Sequence, residues 1–238
     1  MRRTKFIVVP VLALLVCAMV ALPAAAQNMY VALRYWSTQT SVSLSGAPAF
    51  RAYDNYMVNL SVRRNFGSDW ALSFNLDTGG QRNWAGTWVS ATAGSNTYWN
   101  INFHRNFAAE NANFSLFLGY GSASSRSTFL GVDQTQRVAG LRAGGDLVWR
   151  RNNWSLMAWG AVGISPQGTS EWPGFGTSAQ GTGSLSEYGA LLGYTFASGW
   201  SVEGGWRQVK FGVPAGGSFL AADFTTNGWT IGLSRTFP

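Results

Sequence analysis

The sequence predicts an all-β fold: a closed, antiparallel, up-and-down transmembrane β-barrel of ten strands. Stretches of about 9–11 residues alternate apolar and polar side chains, which is the length that a tilted membrane-spanning strand requires. Aromatic residues bound the four tight turns, which run from Phe66 to Trp70, Phe107 to Phe114, Trp149 to Trp154 and Phe196 to Trp200. Aromatic residues at one level of each hairpin are typical of the membrane–water boundary of a barrel.

Seven aromatic residues are predicted to form a girdle at the turn end of the barrel. Six of them border tight turns, and the seventh completes the ring at the C-terminus. The girdle consists of Phe66, Trp70, Trp149, Trp154, Phe196, Trp200 and Phe237. A soluble barrel of lipocalin type is the alternative fold, and it would show the same alternation along its strands. Such a barrel has no reason to surround its turns with Trp and Phe, so the membrane barrel is favoured.

Residues 1–26 have the pattern of a cleaved export signal, which leaves residues 27–238 as the barrel. Three basic residues begin the chain, the run Phe6–Leu22 is apolar, and small residues precede Gln27. A retained helical anchor is the alternative, but the run falls short of the roughly 20 residues that span a bilayer. Cys17, the single cysteine, resembles the acylated residue of a lipoprotein, although Val16 stands where a small residue is needed. We therefore interpret Cys17 as part of the signal and expect no disulfide.

Composition excludes several partners and supports a barrel. Without the signal, 14 of 17 basic residues and all 10 acidic residues remain, a net charge of +4. The basic residues are scattered singly, so nucleic acid is not expected as a partner. Charged residues make up 11% of the chain, against about 25% in soluble domains. With no cysteine left and a single histidine, no metal and no cofactor are expected.

Short turns alternate along the chain with five longer segments rich in Gly, Ser, Thr and Ala. These segments are predicted to be loops at 37–54, 79–96, 122–134, 165–184 and 211–225. Bacterial outer-membrane barrels have short periplasmic turns, longer extracellular loops and an even number of strands. We therefore expect both termini in the periplasm and five loops outside the cell. Eight strands is the alternative count, if two weak strands belong to loops.

The C-terminus resembles the assembly signal of the small outer-membrane β-barrel proteins, the broad OmpA/OmpX-like and opacity-protein-like group. Thr230, Gly232 and Phe237 match the polar, glycine and terminal aromatic positions of that signal. The resemblance covers the chain after the export signal. It implies a porin-like protein of the bacterial outer membrane and the cell surface. Its implied partners are outer-membrane lipids and, in transit, periplasmic chaperones and the barrel-assembly machinery.

Nine ionisable residues fall on the inward face by strand alternation. They are Arg34, Arg63, Asp77, His104, Arg142, Asp146, Glu187, Glu203 and Arg207. One interpretation is a network of ion pairs across the lumen, since an unpaired buried charge is expensive. The alternative is a narrow passive channel, in which Arg34, Arg142 and Arg207 favour anions. Ten strands lie close to the size at which side chains fill a barrel, which favours the first interpretation.

The sequence predicts that the protein is not an enzyme. Some outer-membrane barrels are enzymes that use a histidine together with a serine or an aspartate. An omptin-type protease needs a His–Asp pair on the extracellular side. His104 is the single histidine and falls toward the periplasmic half of its strand, where a hydrogen-bonded lumen residue is the simpler interpretation. The leading functional hypothesis is a structural or adhesive surface role through the five loops, with an extracellular ligand that the sequence does not name. The passive channel is the alternative.

Overall fold

The protein is described by a computed structural model that covers residues 29–45, 50–85, 94–129, 132–172, 177–216 and 220–237. The predicted signal, residues 1–26, lies outside these ranges. The strands are β1 (Met29–Leu44), β2 (Phe50–Phe66), β3 (Trp70–Ala85), β4 (Gly94–Ala109), β5 (Ala112–Phe129), β6 (Val132–Arg151), β7 (Trp154–Trp172), β8 (Thr177–Thr182), β9 (Ser184–Thr195), β10 (Trp200–Val213) and β11 (Ala222–Phe237). No helix in the described ranges is long and apolar enough to cross a membrane.

Ten antiparallel strands close into a ring, as the sequence predicts. Each strand pairs with its neighbours in the chain, and β7 pairs with β9 past the short strand β8. The ring closes where β1 meets β11, from Met29 opposite Phe237 to Leu44 opposite Ala222. The short strand β8 is the distal continuation of β9, with Gly183 between them: β8 pairs with Gln167–Trp172 of β7, and β9 pairs with residues 154–162 of the same strand. Closure leaves no free sheet edge, which is the condition for strands in hydrocarbon.

Tight turns define one end of the barrel, here called the turn end; the opposite end is the loop end. The β4–β5 and β6–β7 connections are two-residue hairpins, since Ala109 pairs with Ala112 and Arg151 with Trp154. Asn152 begins the second hairpin with φ of 53°, a left-handed conformation that Asn tolerates well. Gly67 occupies the same region with φ of 67°, where a side chain would be strained.

The strands extend well beyond the predicted 9–11 residues, and the predicted loops are correspondingly short. The strand β6 has 20 residues and β7 has 19, so the loops predicted at 122–134 and 165–184 contain strand residues over most of their length. The physical reason is a change of polarity on the outer face. In β1, exposed Gln39 and Ser43 alternate with buried Thr40 and Val42. The strand continues, but its outward residues are no longer apolar, so the alternation with an apolar outer face that marks a membrane strand ends there.

The outer face carries an apolar band between two aromatic girdles. Phe66, Trp70, Trp149, Trp154, Phe196 and Trp200 are exposed at the turn end, and Phe237 is half-buried there. Sequence analysis missed a second set near the loop-end edge of the band, made of Tyr35, Tyr56, Trp99, Tyr120, Tyr188, Trp206 and Trp229. Ring pairs occur in this set, with centroids 5.8 Å apart for Trp99 and Tyr120. Beyond it the outward residues are polar, and we call this extension of the strands the collar.

On the outer face of one strand, a charged substitution should destabilise the protein in the apolar band but not in the collar. Leu33 (46% exposed) lies in the band of β1, and Gln39 lies on the same face in the collar. We expect Leu33→Arg to lower the free energy of unfolding in lipid vesicles by about 2–4 kcal/mol, because it places a charge in hydrocarbon. Gln39→Arg should cost about 0–1 kcal/mol. Equal costs, measured by urea unfolding, would contradict this assignment of the lipid boundary.

Candidate functional site

The loop-end half of the lumen is closed by an apolar cluster, which we call the plug. It consists of Trp36, Val42, Met57, Tyr98, Ala123, Val138, Val209, Phe211, Val213, Ala222 and Phe224, all of them buried. Phe211 and Phe224 stack with ring centroids 4.6 Å apart. The Tyr98 hydroxyl lies 2.7 Å from Thr226 Oγ1, whereas the buried Trp36 Nε1 has no hydrogen-bond partner among the described residues. The interior here is packed with apolar side chains, as in the core of a soluble protein, with polar residues such as Thr40 and Thr226 buried beside them.

Sequence analysis missed the plug, although a signal for it was present. Val209, Phe211 and Val213 alternate with Lys210 and Gly212, which continues the inward periodicity of β10 into the segment predicted as a loop. The inward positions become apolar at the level where the outward positions become polar. An inverted alternation of this kind marks a strand that has left the membrane while its inner face is still packed.

Arg207 lies at the centre of the largest group of buried ion pairs. Its guanidinium is 2.6 Å from Asp77 Oδ1 and 2.9 Å from Glu187 Oε1. Arg142 reaches the other oxygen of Glu187 at 3.1 Å, and Trp159 Nε1 donates to Glu187 Oε1 at 2.9 Å. Glu187 and Arg207 are therefore in direct contact. One carboxylate serves two arginines, which links β6, β9 and β10 across the lumen.

A second group connects β1 with β10. Arg34 contacts Glu203 Oε2 at 2.7 Å and also donates to Asn59 Oδ1 at 2.9 Å. Asn59 in turn donates to Asp77 at 2.9 Å, so the two groups form one network. Gly232 makes room for Arg34, because a Cβ at residue 232 would lie 2.6 Å from Arg34 Cγ.

A third group contains the single histidine and a serine that sequence analysis did not single out. His104 Nε2 is 2.8 Å from Ser73 Oγ, and His104 Nδ1 is 3.1 Å from Asp146 Oδ2. Arg63 contacts the other oxygen of Asp146 at 3.0 Å. The Phe117 ring packs on the imidazole with centroids 5.0 Å apart. Alternation could place Ser73 inward, but a serine among many inward polar residues carries no distinguishing signal.

The structure brings the nine predicted lumen residues onto the inner face, where their charges balance. Four arginines contact four carboxylates across these three groups, with His104 beside Asp146. Removing one member of a buried ion pair leaves an uncompensated charge in a poorly solvated interior. The Arg207 guanidinium also lies over the Trp36 ring, 4.8 Å from its centroid. The charged network therefore ends directly against the plug.

The turn-end half of the lumen contains a polar cavity of about 260 Å³. It is lined from the β6–β7 hairpin, at Asn152 and Asn153, up to Trp36 at the base of the plug. Ser73 and His104 are among its lining residues, as are the charged groups of the network other than Asp77. No set of three or more His, Cys, Asp or Glu side chains in the described ranges is arranged to hold a metal ion. The cavity offers hydroxyl, amide, imidazole and ionic groups to whatever enters from the turn end.

Comparison with known proteins identifies the fold as that of an outer-membrane β-barrel. No protein-family model and no curated protein matches the sequence. Among solved structures, the outer membrane protease OmpT from Escherichia coli matches with a TM-score of 0.68 and 12% identity, covering 90% of this chain and 98% of OmpT. The translocator domain of the autotransporter NalP from Neisseria meningitidis has a TM-score of 0.47 and 10% identity, covering 94% and 93%. Ail, the attachment invasion locus protein of Yersinia pestis, has a TM-score of 0.40 and 12% identity, covering 89% of this chain and 99% of Ail.

The class is therefore shown: this chain is a small outer-membrane-type β-barrel protein. At 12% identity the likeness to OmpT extends to the fold alone, and the two weaker matches carry no argument about this chain. The narrower OmpA/OmpX-like grouping finds no separate support among them.

The expectation that the protein is not an enzyme is corrected by the match to OmpT. A barrel that covers almost the same length with the same fold is a protease, so this fold gives no ground for excluding catalysis. The expectation rested on the position of His104 within its strand and on the absence of a histidine from the predicted loops. Neither observation bears on which side chains meet inside the lumen.

The ion-pair network predicts a strong dependence of stability on Glu187. We expect Glu187→Gln to lower the free energy of unfolding by about 3–5 kcal/mol, because Arg142 and Arg207 lose their shared counter-charge in the interior. Urea unfolding in lipid vesicles measures the change.

Asp69→Asn is the matched control for Glu187→Gln, because it removes a carboxylate from a solvent-exposed pair. Asp69 accepts a hydrogen bond from Ser68 Oγ and lies 3.0 Å from Arg105, contacts that lower the pKa of its carboxyl group. Its stabilising effect is present above the ordinary Asp pKa and is lost as the pH falls through the lowered value. Exposed pairs contribute little, so the control should change stability far less than Glu187→Gln. Equal losses would contradict the central role of Glu187.

Proposed function

We propose that the protein is a surface-contact protein of the bacterial outer membrane, acting in adhesion or a structural role through its loop end. The observation that carries this proposal is the plug, a cluster of buried apolar residues in the loop-end half of the lumen with the ion-pair network directly against it, which we interpret as a seal. A sealed lumen leaves the outer surface and the loop end as the parts that can meet partners outside the cell.

The collar supports the same proposal. It extends the sheet beyond the apolar band, with outward polar residues such as Gln39, Arg137 and Lys210 exposed on three strands. A hydrogen-bonded extension filled by the plug is a rigid support for the connecting segments at its rim. Loops on a rigid scaffold are where binding residues concentrate, since they can vary without disturbing the fold.

The proposed orientation places the turn end in the periplasm and the loop end outside the cell. Short periplasmic turns and longer outer connections are the pattern of bacterial outer-membrane barrels. The export signal proposed for residues 1–26 and cleavage before Gln27 agree with this orientation, as does the resemblance of the C-terminal strand to a barrel-assembly signal. Lipids, periplasmic chaperones and the assembly machinery are the partners that follow.

The narrow channel is the second candidate, favoured by the polar cavity and its arginines. Recording from purified barrel in planar bilayers distinguishes the two functions. The wild type should be silent, because an apolar obstruction without a water path blocks ions. Steady, anion-selective conductance of the wild type would overturn the sealed-lumen proposal.

A variant that lacks two plug residues tests whether the plug is the reason that the wild type does not conduct. The double variant Trp36→Ala/Phe211→Ala removes two large plug residues, 0% and 1% exposed, and should produce stepwise conductance. The matched control is Trp229→Ala/Phe103→Ala, which removes two outer-face rings (71% and 51% exposed) and should remain silent. A silent plug variant that folds normally, judged by heat-modifiable gel mobility, would show that the seal does not depend on these rings.

Surface contact is tested by adhesion of whole cells. Bacteria expressing the wild type should adhere to epithelial monolayers more than cells with an empty vector. Replacing residues 86–93 by a Gly/Ser segment of equal length should reduce adhesion, since β3 ends at Ala85 and β4 begins at Gly94, both at the loop end. The control Ser68→Gly/Asp69→Gly alters a turn at the opposite end and should leave adhesion unchanged. Adhesion equal to the empty-vector level in the wild type would exclude the adhesive role.

A further inference from the structure

The group formed by Ser73, His104 and Asp146 has the arrangement of a nucleophilic catalytic triad. The hydroxyl oxygen of Ser73 is 2.8 Å from His104 Nε2, and the opposite ring nitrogen is 3.1 Å from Asp146 Oδ2. A nucleophile within hydrogen-bond reach of a base, which a third group orients, is the signature of covalent catalysis. All three residues line the polar cavity, so the hydroxyl faces space that a small molecule can enter.

We propose that these residues form an esterase site that hydrolyses small acyl esters entering the lumen from the turn end. The site lies in the half of the lumen that the plug leaves open, so it is compatible with a surface role at the loop end. The volume of the cavity, about 260 Å³, suits a short acyl group better than a long chain. The proposal goes beyond the proposed surface function and does not depend on it.

The hydrogen-bond directions around Ser73 agree with a nucleophilic role. Asn102 Nδ2 donates to Ser73 Oγ at 3.2 Å and to Asn100 Oδ1 at 2.8 Å. Asn75 Nδ2 also donates to Asn100 Oδ1, at 2.9 Å, which fixes the orientation of the chain of amides. Because Ser73 Oγ accepts from Asn102, its own proton is directed to His104 Nε2, the acceptor that a general base requires.

Three further residues, Asp146, Arg63 and Phe117, contact His104 or its carboxylate partner. In the tautomer with a free Nε2 lone pair, Nδ1 carries the proton and lies next to Asp146. Nδ1 makes no well-aligned hydrogen bond within the described residues, so a small rotation of the ring is needed to direct the proton at the carboxylate. Catalytic hydrogen bonds are often poorly aligned before substrate binds. Arg63 and Phe117 act as positioning residues, since they contact Asp146 and the imidazole respectively.

The reaction needs water and ester alone. Ser73 Oγ attacks the carbonyl carbon while its proton passes to His104 Nε2. The bond from that carbon to the alcohol oxygen then breaks, and Nε2 returns the proton to the departing oxygen. A water molecule, deprotonated by Nε2, attacks the acyl carbon, and the bond from that carbon to Ser73 Oγ breaks, which releases the carboxylic acid. The same proton then restores the Ser73 hydroxyl, and no atom is oxidised or reduced.

The test uses purified full-length barrel folded in detergent micelles. A fluorophosphonate probe should label the wild type at Ser73, with loss of fluoride, and peptide mass spectrometry locates the label. The wild type should also hydrolyse 4-nitrophenyl acetate faster than 4-nitrophenyl dodecanoate. Ser73→Ala should abolish labelling, and His104→Gln should lower kcat by about 10²–10⁴-fold, the usual contribution of a general base. Asp146→Asn should lower kcat more than it changes KM.

Two controls keep the outcome decisive. Ser155→Ala removes another serine that lines the same cavity and should leave labelling and hydrolysis unchanged. Heat-modifiable gel mobility must show that each variant is folded, and Ser73→Cys, which keeps a nucleophile, serves if Ser73→Ala does not fold. A folded wild type that hydrolyses 4-nitrophenyl acetate no faster than folded Ser73→Ala, or a label located on another residue, would overturn the proposal.

Discussion

Closure of the sheet is the constraint on which the rest of this structure depends. A strand surrounded by hydrocarbon cannot leave backbone groups unpaired, so the first and last strands must meet along their length, as β1 and β11 do from Met29 to Leu44. Once the ring is closed, alternate side chains are forced either into lipid or into the lumen. The charged side chains that face the lumen must then be neutralised there. Arg207 between Asp77 and Glu187 is the direct result.

The two halves of the lumen are filled by different kinds of side chain, because the outer face of the barrel differs between them. Within the apolar band the inner face carries the charged and polar residues, which pair with one another and leave a cavity at the turn end. In the collar the outer face is already polar, so the inner face can be apolar and pack as the plug. Arg207 over the Trp36 ring is the junction between these halves. Toward the turn end the barrel has an apolar outer face and a polar inner face, as membrane barrels do. Toward the loop end it has a polar outer face and an apolar inner face, as soluble β-proteins do.

The sequence predicts the part of the fold that is set by contact with lipid. Period-two hydrophobicity gave the ten strands, and Trp70, Trp154 and Trp200 indicated the turn end. The collar was missed because outward residues such as Gln39 and Lys210 are polar, so the alternation there is inverted, with apolar residues such as Phe211 on the inner face. The loop-end girdle was missed since its rings, such as Trp229, do not border tight turns. Strand pairing in the collar depends on neighbours that alternation alone does not identify.

The candidate site shows a different limit of sequence reasoning. Alternation places His104 inward, but it does not say which inward groups share its height in the barrel. Ser73 comes from the adjacent strand and Asp146 from the strand beyond β5, and their meeting depends on register and on the tilt of three strands. The number of histidines in a chain is therefore a poor guide to catalysis, since a relay of this kind needs one imidazole. What decides is whether a hydroxyl and a carboxylate reach its two nitrogens, and that is a property of the closed barrel.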